Sequence, residues 1–357
     1  MRNNLFLRLV LIIFGIVNIH SLHSQIGTTS TYKFLNLSPS SRISALGETN
    51  VSIFDDDICM VNGNPGLLNE TMRKNLSLSH KFLYTDISSS NLDYGFLINK
   101  WAMPFHFGIQ YVDYGDADLA DEYGDISGLV DGSEVAINLG TSYNVQDKLN
   151  LGVNAKYIYS VLGGYSSSGV ALDIGALYHA GDKNLDIGFA IRNIGSQISK
   201  YDETYEKLPF NITLGVSKKL EHLPFRFNIT ATNLERWNVI YDDPNDENNI
   251  LLLEDDSQSE KSKFGLFSDN LFRHFIFAGE FLLGKGDGPL RLRISYNYRK
   301  SKEMAVSPYR SFAGFAFGFG LKLRKIRIDY AYNIQNTIGG KSHITIGANL
   351  GEFKKRM

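Results

Sequence analysis

The chain has 357 residues, of which 43% are hydrophobic, too few for a bundle of membrane-spanning helices but ordinary for one closed sheet. A formal charge of -2 gives no electrostatic case for a nucleic-acid partner. The single cysteine, Cys59, leaves no intrachain disulfide and no cysteine-based zinc site, while 19 Tyr, 23 Phe and 33 Gly suit repeated strands and tight turns.

In chain order, Arg2 and Arg8 flank Leu5, Phe6 and Leu7, an apolar run follows over 9–17, and a polar stretch over 18–24 leads to Gln25. This layout reads as a secretory signal peptide over 1–24, although Leu22 stands where a small residue is usual. The alternative is a membrane anchor, but the run is shorter than the ~20 residues a spanning helix needs. Residues 26–72 then carry Tyr32, Phe34, Leu35 and Leu37, followed by Arg42, Ile43, Ala45, Leu46 and Gly47, an acidic run at 55–57, and Asn64, Pro65 and Gly66. That is too apolar for a disordered leader. The expectation is a hatch folded into a lumen, with Asn64 capping a short helix that opens at Pro65. A periplasmic extension packed on the rim is the alternative.

From 73 to 353 the chain repeats segments of about ten residues in which oily and polar side chains alternate, the pattern of a membrane barrel. At 289–299, for example, Leu290, Leu292, Ile294, Tyr296 and Tyr298 share one face and Arg291, Arg293, Ser295 and Arg299 the other. Fourteen such segments are expected, near 75–83, 91–100, 104–114, 134–143, 148–159, 168–179, 183–192, 210–218, 224–233, 273–282, 289–299, 313–324, 326–334 and 342–350. The fold class is therefore all-β: a 14-stranded antiparallel transmembrane β-barrel. Connections alternate between long (115–133, 160–167, 193–209, 234–272, 300–312) and short, the asymmetry of external loops against periplasmic turns. A soluble β-sandwich, the alternative, has no reason to alternate so. Tyr94, Tyr111, Tyr157, Tyr159, Tyr296, Tyr298, Tyr330 and Tyr332 are expected near outer strand ends, and Phe105, Tyr143, Tyr178 and Phe225 near inner ends. Ten glycines on the polar face (Gly95, Gly108, Gly140, Gly152, Gly175, Gly188, Gly215, Gly318, Gly320 and Gly347) imply close approach to something inside.

No catalytic constellation stands out, so no enzyme activity is expected. The serine run over 164–169 lacks the spacing of a nucleophile elbow and falls in an expected loop, and the histidines are scattered singly. No cofactor motif is present, and the acidic residues of the 234–272 loop lack calcium-loop spacing, so no metal is expected. Within that loop Leu251, Leu252 and Leu253 would be exposed, which makes them a candidate partner dock.

Several strings resemble the PorQ family of the Bacteroidetes type IX secretion system. They are Thr31 to Leu37, the Arg42, Ala45, Leu46, Gly47 step, Asn64-Pro65 with Leu67-Leu68, Gly108 to Tyr111 with Tyr114-Gly115, Gly215 to His222 with Pro224 to Phe227, and Asn233 to Trp237. More distantly the layout is similar to FadL-type fatty-acid transporters and PorV, fourteen-stranded barrels with an N-terminal hatch, although Gly66 replaces the alanine of their Asn-Pro-Ala motif and the chain does not end on an aromatic residue. The first resemblance implies a non-enzymatic outer-membrane barrel that anchors a cell-surface attachment complex of PorZ-, PorU- and PorV-like proteins, linking secreted cargo to lipopolysaccharide. The second implies, as the alternative, a transporter of hydrophobic small molecules.

Overall fold

In a computed structural model of the protein, residues 30–353 are described except 85, 99–102, 121–125, 147, 241–262, 285–287, 305–311 and 336–338, and all fourteen alternating segments form strands. They are β1 (Asn75–Tyr84), β2 (Ile87–Ile98), β3 (Met103–Ala120), β4 (Ile126–Gln146), β5 (Leu149–Leu162), β6 (Tyr165–Ala180), β7 (Leu185–Ser199), β8 (Asn211–Lys219), β9 (Phe225–Ala231), β10 (Phe275–Leu283), β11 (Leu290–Asn297), β12 (Phe315–Leu323), β13 (Ile326–Ile334) and β14 (Gly340–Asn349). Each pairs antiparallel with its chain neighbours. β1 also pairs with β14, from Asn75↔Asn349 to Phe82↔Ser342, so the sheet closes. Closure is what lets a sheet live in lipid, because no edge is left with unpaired N–H and C=O groups.

Alternation sets which face meets what. On β11, Leu290, Leu292 and Ile294 are 37–43% exposed on the outer wall, whereas Arg291, Arg293 and Ser295 are at most 5% exposed within. A slip of one residue would put the arginines into lipid, so the register is strongly specified. No helix among the described residues is long and apolar enough to cross a membrane.

The connections depart from expectation on the side of the long loops, the external one. Much of 115–133 and 160–167 is strand, because a ladder that pairs its own backbone can continue past the lipid into water. β5 and β6 turn through Gly163 and Gly164, both at positive φ (59° and 83°), the two-residue hairpin that such glycines permit. The serine run after them therefore lies on β6, not in a loop. The first external connection is only residues 85–86, so β2 starts four residues earlier than expected. Tyr94 consequently sits opposite Leu76 at the inner rim, stacked on Phe96, and not near an outer end. Tyr298 leaves its strand for a short helix (Tyr298–Glu303).

Residues 30–74 fill the lumen, so they do not pack on the rim. Their short helices build a small core in which Ile43, Leu46, Ile53, Ile58, Met60 and Leu67 pack together and reach Leu177 and Ala278 of the wall. Nearer the outside, Tyr32, Phe34 and Leu35 pack on Val112, Ala136 and Ile158.

Candidate functional site: the hatch against the lumen wall

The hatch is positioned by locally capped turns. Helix α1 (Ser41–Ala45) starts at Ser40, whose hydroxyl accepts from the Ile43 N–H, and ends in a Schellman pattern. There Glu48 N–H reaches Ile43 O (2.9 Å) and Gly47 N–H reaches Ser44 O (3.2 Å). Gly47 has φ of 93°, and a Cβ there would run into Ile276 of β10, so glycine is required twice over. A helix of five residues has no stability of its own. Its caps and packing hold it, and they fix the direction of Arg42.

Arg42 is fully buried and reaches three carboxylates: Asp55 (2.7 Å) and Asp57 (3.2 Å) of the hatch, and Glu280 of β10 (3.0 Å). Glu280 also takes Arg293 of β11 (2.8 Å) and Arg226 of β9 (3.3 Å). Arg293 continues to Asp329 of β13 (2.6 Å), and Arg327 of β13 closes the circuit on Asp57 (2.7 Å). Four arginines thus face four carboxylates across hatch and wall. Isolated, any one of them would cost several kcal/mol to bury, so only the ensemble is tolerable. Burial alone would raise the Asp55 and Asp57 carboxyls. Arg42 with Arg226 for Asp55, and Arg327 with Arg42 for Asp57, instead hold both below the usual carboxylate range.

The opposite wall holds the hatch by shape. A Cβ at Gly152 would collide with the Pro65 carbonyl, one at Gly175 with the Asn64 side chain, and one at Gly188 with the Val51 carbonyl. Gly95, Gly215 and Gly318 likewise face Met72, Val51 and Ala45. Six of the ten inward glycines therefore admit the hatch, four of them (Gly95, Gly152, Gly175 and Gly188) its backbone; Gly108, Gly140, Gly320 and Gly347 make room for lumen side chains instead. Asn64 accepts from Gly66 N–H (2.8 Å) and donates to Val51 O (2.7 Å) and to Ala176 O of β6 (3.0 Å), and Pro65 opens the short helix Pro65–Leu67. Polar contacts complete the fit: Ser217 to Ser52 O (3.0 Å), Ser142 to Leu68 O (2.7 Å), and Ser44 with His343 (2.8 Å).

Three cavities border this arrangement. An inner vestibule of about 760 Å³ is lined by Asp55, Asp56, Glu70, Lys219 and Arg226. An outer cleft of about 290 Å³ lies between Gly47, Glu48 and Thr49 and the wall from Arg192 to Lys300. An apolar notch of about 460 Å³ lies on the lipid-facing side, over Leu78, Leu92, Ile109 and Ile346. The outer cleft is polar, whereas Phe54 and Leu282 join the charged residues that line the vestibule. Cys59, fully buried, donates to Ser77 (3.1 Å), and burial pushes its thiol up, so it is a packing residue and not a nucleophile. Among the described residues no group of three His, Cys, Asp or Glu could hold a metal ion.

Sequence reasoning reached Asn64, Pro65, Gly66 and the glycine face. Leu251, Leu252 and Leu253 lie outside the described residues, as does the signal-peptide region. The charge circuit was missed, although a signal existed: Glu280 interrupts the otherwise apolar β10, and Arg291, Arg293, Arg327 and Asp329 fall on the polar faces of nearby strands.

No family model matches the chain, and no curated protein matches it. Among solved structures it is similar to a TodX monoaromatic hydrocarbon channel deltaS2 mutant, at 14% identity and a TM-score of 0.50, over 88% of this chain and 97% of that one. It is similar in the same way to the CymD monoaromatic hydrocarbon channel (11% identity, TM-score 0.50, 89% and 97%). A Pseudomonas aeruginosa FadL homologue matches at 10% identity and a TM-score of 0.45 over 90% and 99%. At such identities it is the fold alone that is shared.

Proposed function

We propose that the protein is a non-enzymatic outer-membrane anchor, a hatch-sealed barrel that holds a surface complex of PorZ-, PorU- and PorV-like proteins and so helps link secreted cargo to lipopolysaccharide. The observation that carries this reading is the way the lumen is filled. The hatch is tied to β9, β10 and β13 by buried ion pairs and to β5–β8 by close packing on inward glycines, an arrangement suited to staying put. The external side supplies a surface to dock on. Helix α2 (Lys263–Arg273), at the end of the longest external connection, presents Leu266 and Phe267, with Trp237 packed on Phe267 at 5.2 Å between ring centroids. The resemblance to PorQ proteins names the partners.

A second reading, transport of hydrophobic small molecules, rests on the similar solved structures, two of which are monoaromatic hydrocarbon channels, and those comparisons back it better than they back the anchor. The polar lining of the outer cleft weighs on the other side. Purification of the tagged protein from native membranes, with uptake of a monoaromatic hydrocarbon measured in cells with and without it, separates the two. The anchor predicts stoichiometric co-elution of the surface proteins and unchanged uptake. A solitary barrel whose loss abolishes uptake would establish the transporter instead. Deletion of 245–262 tests the dock: retention of the surface partner at full strength would remove Leu251, Leu252 and Leu253 from the proposal.

A further inference from the structure

Every buried arginine in the charge circuit sits on a carboxylate, and Arg192 does not. It projects inward from β7 opposite Asn211, and its Nε is enclosed without a hydrogen-bond partner among the described residues. The carboxylates around it are committed elsewhere. Asp173 holds Lys156 (2.7 Å) and the Asn193 N–H (2.8 Å). Glu235 takes the Ile212 N–H (2.9 Å), Glu48 holds Lys81 (3.0 Å) and Lys300, and Glu303 holds Arg299 (2.6 Å). A buried donor left without an acceptor bears its full desolvation penalty, which is larger when the group is charged. That cost is worth carrying if an acceptor arrives from outside.

Arg192 lines the outer cleft of about 290 Å³, close to the lower end of the roughly 300–1,000 Å³ typical of ligand pockets. The rest of the lining is biased toward donors. Asn211 and Asn297 engage their side-chain oxygens internally, with the Thr213 hydroxyl and the Lys300 N–H, which leaves their amide NH₂ groups for a ligand. Arg299 and Lys300 are paired with Glu303 and Glu48 of the same lining, which leaves Arg192 as its uncommitted cation among the described residues, while Asn36, Thr49, Thr232 and Asn233 offer the mixed donors and acceptors that hydroxyls need. A guanidinium fork suits a carboxylate or phosphate, and the surrounding amides and hydroxyls suit a sugar ring.

We propose that this cleft, between the hatch and β7–β11 on the external side, binds one acidic sugar residue, carboxylated or phosphorylated, with Arg192 on its anionic group. The proposal goes beyond both readings of the barrel and depends on neither. Isothermal titration of the full-length detergent-solubilised protein with glucuronate, glucose 6-phosphate, glucose and inorganic phosphate tests it. Saturable binding of the two acidic sugars, with neither glucose nor phosphate matching them, is expected. Arg192→Gln should weaken that binding roughly tenfold or more, and Arg192→Lys by less, since lysine keeps the charge without the fork. Equal binding to Arg192→Gln, or none to the wild type, would overturn the proposal, and phosphate binding as tight as the acidic sugars would overturn its sugar half. If Arg192→Gln does not migrate as a folded barrel, Asn211→Ala carries the same test with the same expected direction. Competition between free glucuronate and micelles of an acidic glycolipid then assigns the source: displacement by the micelles points to a lipid-borne sugar, and none to a soluble one.

Discussion

The two sides of the hatch are held by different physics. Toward β9–β13 it is tied by charge, with Arg42 among Asp55, Asp57 and Glu280. Toward β5–β8 it is seated by shape, with the Pro65 and Val51 carbonyls laid against Gly152 and Gly188. Charge is forgiving of small displacements but severe when one partner is lost. Shape tolerates the loss of a contact but not the addition of an atom. The two sides should therefore fail to opposite kinds of substitution.

The largest effect is expected on the charged side. Arg42→Met leaves Asp55, Asp57, Glu280 and Asp329 sharing three arginines instead of four and should cost about 3–5 kcal/mol. The readouts are a lower urea midpoint, protease cleavage within the hatch and a rise in planar-bilayer conductance. Adding Glu280→Leu leaves Asp55 on Arg226, Asp57 on Arg327 and Arg293 on Asp329. The double variant should then be more stable than Arg42→Met alone; equal or greater loss would mean that the circuit is not the tether. The same tether can be read by pH. Asp55 and Asp57, on the hatch and outside the spanning strands, are held below the unfolded value of about 3.9, so their contribution is present above that pH and lost as pH falls through the depressed values. Protease protection of the hatch should be flat from pH 8 to 5 and decline only in stronger acid. A decline already near pH 6 would place the controlling group elsewhere.

The next effect belongs to the glycine side. Gly188→Val drives a branched side chain into the Val51 carbonyl, a backbone atom that cannot swing away, and should cost about 3 kcal/mol at the upper end of overpacking. Gly140→Ala is the control, because the nearest atom to its Cβ would be the Asn154 side-chain oxygen, at 3.2 Å, which can turn. If both lower the urea midpoint alike, the difference is one of strand propensity and not of hatch fit.

How much of this was legible follows from what alternation can encode. Period two on β11 assigns Leu292 to lipid and Arg293 to the lumen without any knowledge of partners, so strand number and facing could be read directly. The inward glycines announced an occupant, and Asn64-Pro65 announced a capped turn. What could not be read is which polar residue meets which, since the contact between Arg42 and Glu280 joins positions 238 residues apart and is set by barrel closure, not by any local pattern. Strand ends were read too short where pairing continues into water beyond the lipid, as on β3 and β4, because hydrophobic alternation stops there while the backbone ladder does not. Arg192 gave no signal for the same reason as Arg42: the sequence shows an arginine on a polar face, and only the fold shows that no described residue answers its Nε.

The smallest effect probes the place where shape and hydrogen bonding meet. Asn64 does two jobs, capping Gly66 through its oxygen and binding the Val51 and Ala176 carbonyls through its NH₂. Asn64→Ser keeps an acceptor at the cap but loses the amide donors, whereas Asn64→Ala loses both. A cap is worth typically about 1 kcal/mol, and each of the two net hydrogen bonds about 0.5 kcal/mol. Serine should therefore cost about 1 kcal/mol and alanine about 2 kcal/mol in urea unfolding, with hatch protection following the same order. Because both are smaller than asparagine, neither adds an atom against Gly175, and conductance should stay at the wild-type level. Leakage from Asn64→Ser as large as that from Arg42→Met would erase the distinction between the two sides and make this turn, not the charge circuit, the fastening of the hatch.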